Sequence, residues 1–470
     1  MSAYPSDYPG PPPGAGLRVL DRAQQAVQDA DDKDGKAAAA APEDDVCYHS
    51  LRPIWLAMQV LGFYPMHRLC RGRRPREPSL WLGLSTLQFG AVVACMGLAV
   101  AEVRGRADED QDFDGVVIDY LVYMQCALPL AVLPLYASHR SAMAQYLRDW
   151  GALQADFARE FGRSLSSCRG FGPRPSWEMV TIVGVFSLLV AGAQALLNPA
   201  IVVLALVHST LVSALLTSSF YLHGRLLRAA SRALADHLAL ELRRPVPRVA
   251  AVDNIRLLVL RVVALGGGLS SAVAMPLGLL LLAHFILATL TLYAVLGQVS
   301  YTYAARLPSL GTGTALSGLL LYLACDTGHR VARAVKQLAV EELLAFHKRT
   351  TVIGADLRKM AKTFISTVQE VPSDVSLSGV TTLNRGLFTA MLSTMVTYLV
   401  VIVQFRISLE QAGSDKGARP GTANSSTTLP GNDSAIEPTT TTTTTLTWSG
   451  EGSASPSPPT TVVDNTTLSV

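Results

Sequence analysis

Apolar residues along the chain gather into long unbroken runs instead of alternating or recurring in short stripes. Seven of these runs reach lipid-crossing length, at approximately 80–101, 116–138, 179–197, 200–222, 276–298, 308–325 and 386–405. A bilayer's hydrocarbon core takes roughly 20 apolar residues per helix, so the pattern predicts seven transmembrane helices. Asp119 is the one formal charge inside them. Two shorter apolar stretches do not span. Pro53 to Pro65 is broken by prolines and is expected to lie as an amphipathic segment at the inner interface. Val262 to Ala274, preceded by Arg261 and holding three consecutive glycines, is expected to be a helical lead-in to the fifth span. Between the spans, Arg140 to Glu160, Arg225 to Arg244 and Arg330 to Thr367 mix apolar and charged residues at helical spacing. The spans are therefore expected to continue as helices into the cytoplasm and to pack there.

Charge sets the orientation. Of the 39 Lys and Arg, 29 fall in the loops 52–79, 139–178, 223–275 and 326–385, and only 6 in the alternate segments. Basic residues collect on the cytoplasmic side, so the N-terminus is expected inside and the C-terminus outside. Three Asn-x-Ser/Thr acceptor sites, at Asn424, Asn432 and Asn465, all lie in the tail assigned to the outside. Residues 1–45, rich in Pro, Ala and Asp, are expected to be a disordered cytoplasmic segment, followed by a seven-span membrane domain at 46–406. The tail 407–470 is rich in Ser, Thr and Pro, with seven threonines at 439–445, and reads as an extracellular, glycosylated stalk.

Composition agrees with this class. Hydrophobic residues make up 49% and charged residues 16%, where a soluble chain carries about a quarter charged. None of the six cysteines falls in an outside loop, and none has metal-ligand spacing. No phosphate loop, nucleophile elbow or zinc motif is present, so no enzyme, cofactor, metal or nucleic-acid partner is expected. No inverted repeat relates the two halves, which argues against a secondary transporter. A G-protein-coupled receptor has the opposite orientation, and its acidic-Arg-Tyr triplet after the third span is missing here.

The last run carries the most specific pattern. On a helix, Gly386, Thr389, Ser393, Thr397, Val400 and Gln404 follow at steps of three or four and form one polar stripe. Such a stripe on a lipid-length helix must face protein or water. Small and hydroxylated residues there suit close packing between helices. Gln404, at the outer end, either reaches the interface or joins a ring about a symmetry axis.

The same helix ends on TYLVVIVQF, Thr397 to Phe405. This stretch resembles the signature of the arthropod gustatory receptor family: Thr-Tyr, five hydrophobic residues, Gln-Phe. Phe364 to Phe405 as a whole, and LGFYP at Leu61 to Pro65, are also similar to that family. The resemblance implies an all-α, seven-span receptor that acts as a ligand-gated cation channel for small-molecule tastants in the plasma membrane of chemosensory neurons. It implies a homo- or hetero-tetramer embedded in lipid, with the seventh span of each subunit lining the pore. Carried over, Phe405 is the hydrophobic constriction, Gln404 presents polar groups to ions, Thr397 and Val400 belong with them to the pore and gate, and Thr397 and Tyr398 pack or position the helix. Leu399 stands where the sugar-receptor branch has an acidic residue. Related odorant receptors share the architecture without this motif. The resemblance also implies a ligand pocket within each subunit, among the outer halves of the middle spans, for which Gln194, His208 and Tyr293 are the candidates.

Overall fold

The computed structural model describes residues 46–63, 80–105, 113–168, 170–195, 198–297, 307–349, 355–371, 375–377, 379 and 381–417. The three acceptor asparagines, the first 45 residues and the tail beyond 417 lie outside them. The described chain is almost wholly helical. Its helices are α1 (Val46–Val60), α2 (Leu80–Arg104), α3 (Phe113–Ser138), α4 (Arg140–Phe161), α5 (Arg174–Ala195), α6 (Ala200–Leu242), α7 (Val249–Gly297), α8 (Leu307–Arg349), α9 (Ala355–Glu370) and α10 (Arg385–Gly417). A hairpin of two short antiparallel strands, β1 (Ser376–Leu377) and β2 (Thr381–Thr382), joins α9 to α10.

By length and composition, six helices among the described residues are apolar enough to cross a membrane: α2, α3, α5, α6, α7 and α10. The predicted sixth span, 308–325, opens α8, which packs along both α6 and α7. The three central helices are far longer than a bilayer requires. With 43, 49 and 43 residues in α6, α7 and α8, each rises roughly 65–75 Å, against about 30 Å of hydrocarbon. The surplus turns are the amphipathic loop segments, now continuous with their spans. Val262 to Ala274 is accordingly an internal part of α7 and not a separate crossing.

The predicted interfacial segment 53–65 is described as far as Phe63 and takes a different place from the one its pattern suggested. Its residues 53–60 belong to α1, which begins at Val46, and the apolar face of that helix is buried in protein. Val46, Cys47, Leu51, Ile54, Trp55 and Met58 pack into the main core, against α5 and α6. A helix of 15 residues is marginal alone, and packing of its apolar face stabilises it. Ser50 ties it to the start of α5: its hydroxyl accepts from the Gly172 N–H at 3.2 Å, and its carbonyl accepts from the Ser176 hydroxyl.

The main core lies in the half that the basic loops assign to the cytoplasm. Trp150, Tyr146 and Phe157 of α4, Tyr136 of α3, Phe220 of α6 and Phe364 of α9 are buried in it. A smaller cluster, Val92, Met96, Ala99 and Val103 of α2 with Cys126 of α3 and Val202, Ala205 and Leu206 of α6, holds the opposite half together. Within the main core, the Tyr146 hydroxyl and His223 Nδ1 share a hydrogen bond of 3.1 Å between α4 and α6.

Candidate functional site

α10 is the least covered of the membrane-length helices. Only 6% of its most apolar stretch is buried within the single chain, against 61% for α6 and α7. Met395 is buried, and Leu387, Phe388 and Met391 lean on the core. Beyond Met395 the helix is open on most sides. Thr397, Tyr398, Val400, Gln404 and Phe405 are all exposed, Phe405 by 66%. The structure thus gathers the five motif residues on one helix and leaves them uncovered by the rest of the chain.

Four hydroxyls on α10 are satisfied locally. Thr389 donates to the Gly386 carbonyl at 2.9 Å, Thr394 to Ala390 at 2.9 Å, Thr397 to Ser393 at 3.0 Å and Ser408 to Gln404 at 2.9 Å. Each bond removes the cost of an unpaired hydroxyl in an apolar setting. Gln404 differs, because a primary amide carries more donors and acceptors than one backbone bond can satisfy. The helix does not stop at Phe405. It runs to Gly417, past the predicted end of the span.

The root of α10 is fastened at several points. Asn384 caps it, its Oδ1 accepting from the Leu387 N–H at 2.8 Å. The hairpin before it docks on α7, where the Ser376 N–H donates to Ser270 Oγ at 3.0 Å and the Ser270 hydroxyl donates to the Ser376 carbonyl. Gly328 of α8 lets Leu383 approach so closely that an added Cβ would stand 2.5 Å from the Leu383 carbonyl oxygen. Beside it, buried Asp326 of α8 receives Arg385 Nε at 3.0 Å and Nη2 at 2.8 Å on Oδ1, and Arg330 Nε at 2.7 Å on Oδ2. Burial alone would raise the Asp326 pKa; the hydrogen bonds from Arg385 and Arg330 outweigh it and hold the carboxyl below its usual range. Sequence spacing gave no hint of this pair, 59 residues apart. The available signal was positional: Asp326 is the first charge after one apolar run, and Arg385 the last before the next.

The three ligand candidates lie on three helices. Gln194 closes α5, and its Oε1 accepts from Asn198 Nδ2 at 2.9 Å, so this carbonyl holds the α5–α6 turn. Tyr293 of α7 is fully buried. His208 of α6 is partly buried and keeps a buried Nε2 with no hydrogen-bond partner among the described residues. Sequence reading did not single out the polar groups nearby on α3 and α6. Gln125 Nε2 donates to Thr210 Oγ1 at 3.4 Å, and the Ser209 hydroxyl donates to the Gln125 carbonyl at 2.6 Å. A glutamine and two hydroxyls on apolar spans are visible as residues, but their pairing depends on which helices are neighbours.

Comparison with known proteins follows the same outline. The family model described as 7tm Chemosensory receptor matches residues 51–409. Gustatory and odorant receptor 24 of Anopheles gambiae is 24% identical over 380 residues, covering 79% of this chain and 81% of that one. Gustatory and odorant receptor 21a of Drosophila melanogaster is 22% identical, covering 77% and 82%. Among solved structures, the insect olfactory receptor OR5 from Machilis hrabei superposes with a TM-score of 0.55 at 11% identity, over 75% of this chain and 97% of that one. The same receptor in complex with eugenol gives a TM-score of 0.52 at 12% identity, over 77% and 100%. At these identities the likeness to the solved structures is one of fold.

Proposed function

The chain belongs to the 7tm chemosensory receptor family, and from that premise we propose that it is a gustatory receptor: a ligand-gated cation channel of the plasma membrane of chemosensory neurons. Four subunits, of this chain alone or with related chains, surround a central pore lined by α10. One observation carries the reading: a membrane-length helix that its own chain leaves largely uncovered, bearing a polar stripe that ends in Gln404, with Phe405 beside it. A stripe of this kind is costly against lipid and inexpensive against water or a neighbouring subunit. Phe405 narrows the closed pore by dewetting, and Gln404 presents its amide to ions once the helix moves. Thr397 and Val400 line the pore on the same stripe as Gln404, and Tyr398 sets how the helix packs against its neighbours.

The stimulus is a small molecule held among the outer halves of the middle helices. His208 is the leading contact there, because its buried Nε2 is free to bond a ligand. Tyr293 and the amide nitrogen of Gln194 complete the candidate set. The relatives' names join taste and smell, so an odorant receptor of the same architecture is the second reading. Stimulus-evoked whole-cell current, screened with dissolved and volatile compounds, separates the two.

The pore assignment is tested at its most polar group. Gln404→Ala is expected to shift the reversal potential under biionic conditions while surface labelling stays within about twofold of the parent. Unchanged currents and unchanged selectivity would remove α10 from the pore.

A further inference from the structure

We propose that Asp326 is a positioning residue of the gate: it pins the root of α10 to α8 and so determines how movement of α8 reaches the Gln404–Phe405 end. This rests on the reading of α10 as the pore helix.

The contacts of α8 follow its length. Thr314 donates to Thr291 of α7 at 2.8 Å, and Ser317 pairs with His284 of α7 at 3.2 Å. Further along, Tyr322 meets Phe388 of α10 edge-on, with ring centroids 5.4 Å apart. One turn later comes Asp326, with Arg385 on one carboxylate oxygen and Arg330 on the other. α8 therefore bonds α7 through Thr314 and Ser317 and, one to three turns further along, reaches α10 through Tyr322 and Asp326. The two arginines are not equivalent. Arg330 lies four residues beyond Asp326 on the same helix, so its pairing holds nothing across an interface. Arg385 opens α10, so its pairing is the ionic link from α8 to the pore helix. The carboxylate is buried while both guanidinium groups are about half exposed. Removing Arg385 leaves a buried carboxylate with a same-helix partner and no hold on α10. Removing Arg330 leaves the crossing bond intact.

This asymmetry makes the test. The full chain is expressed in intact cells with Phe405→Cys. The probe is a trimethylammonium-ethyl methanethiosulfonate applied outside, and its rate of reaction is counted above that of the chain retaining Phe405. Asp326→Asn and Arg385→Gln are each expected to change this rate by about tenfold or more, and Arg330→Gln by less than about threefold. On the Arg330→Gln background, exchanging the pair as Asp326→Arg with Arg385→Asp is expected to restore the rate to within about threefold. Where a single variant is retained inside the cell, Asp326→Glu and Arg385→Lys, which keep the charges and change the reach, take its place. The proposal is overturned by rates that ignore both Asp326 and Arg385, by an equal effect of Arg330, or by loss of surface receptor that the exchanged pair does not restore. The pore reading fails separately: unchanged ion selectivity in Gln404→Ala, with a Phe405→Cys rate that still follows the ion pair, would retire the pore and keep the link.

Discussion

Two glycines determine how closely α8 lies against its neighbours. A Cβ on Gly224 of α6 would stand 2.7 Å from Thr327 Cγ2 and 2.9 Å from Val331 Cγ2. One on Gly328 would meet the Leu383 carbonyl oxygen at 2.5 Å and the Leu383 Cβ at 2.6 Å. At Gly328 the obstacle includes backbone, so relief requires moving the hairpin that leads into α10. Gly328→Ala is expected to cost about 1–3 kcal/mol and to lower the melting temperature of the solubilised protein. Gly267 of α7 is the control, with nothing within 4 Å of an added Cβ. Gly267→Ala is expected to stabilise by about 0.5–1 kcal/mol, as glycine does not favour a helix interior. Equal melting temperatures for the two variants would refute the close approach. At this scale Thr397, Val400 and Gln404 were readable because one helix period places them on a line, whereas Tyr398 and Phe405 fall off that line and stood out only within the motif. The grip of Asp326 on Arg385 was not readable, because it depends on tertiary neighbours.

Among the elements, the helices were visible in the sequence as spans and as amphipathic segments, and the continuation of spans into the cytoplasm followed from the helical spacing. Hydropathy responds to lipid, and it falls where α6, α7 and α8 leave the bilayer even though the helical period persists. The hairpin between α9 and α10 escaped the pattern because two-residue strands carry no alternation. The cap that follows it was equally hidden. Asn384→Ala removes the acceptor of the Leu387 N–H and is expected to cost about 1 kcal/mol. Hydrogen exchange in the first turn of α10 should then speed up while α9 is unchanged; uniform exchange across both would count against a local cap. α1 corrects the sequence expectation most clearly. Its amphipathic face suggested a membrane surface, and the surface it covers is protein.

For the whole molecule, most of the buried side chains lie in the half that the charge pattern assigns to the cytoplasm. Stability there comes from hydrophobic burial away from water, whereas helices within lipid gain chiefly from packing. The orientation itself is open to direct test. An N-terminal tag is expected to be shielded from antibody in intact cells, and a glycosidase is expected to shift the chain through Asn424, Asn432 and Asn465. An exposed tag with an unmodified tail would reverse every assignment of inside and outside. The length of α7 has a mechanical consequence. A straight rod of 49 residues is roughly 74 Å long. Tilting it by one degree carries its far end through about 1.3 Å, enough to exchange one packing of side chains for another. Pro276, inside α7, lacks an N–H and so softens the rod near its middle. Pro276 thus divides α7 into two arms, and a small change of angle between them carries either end across a side-chain packing distance.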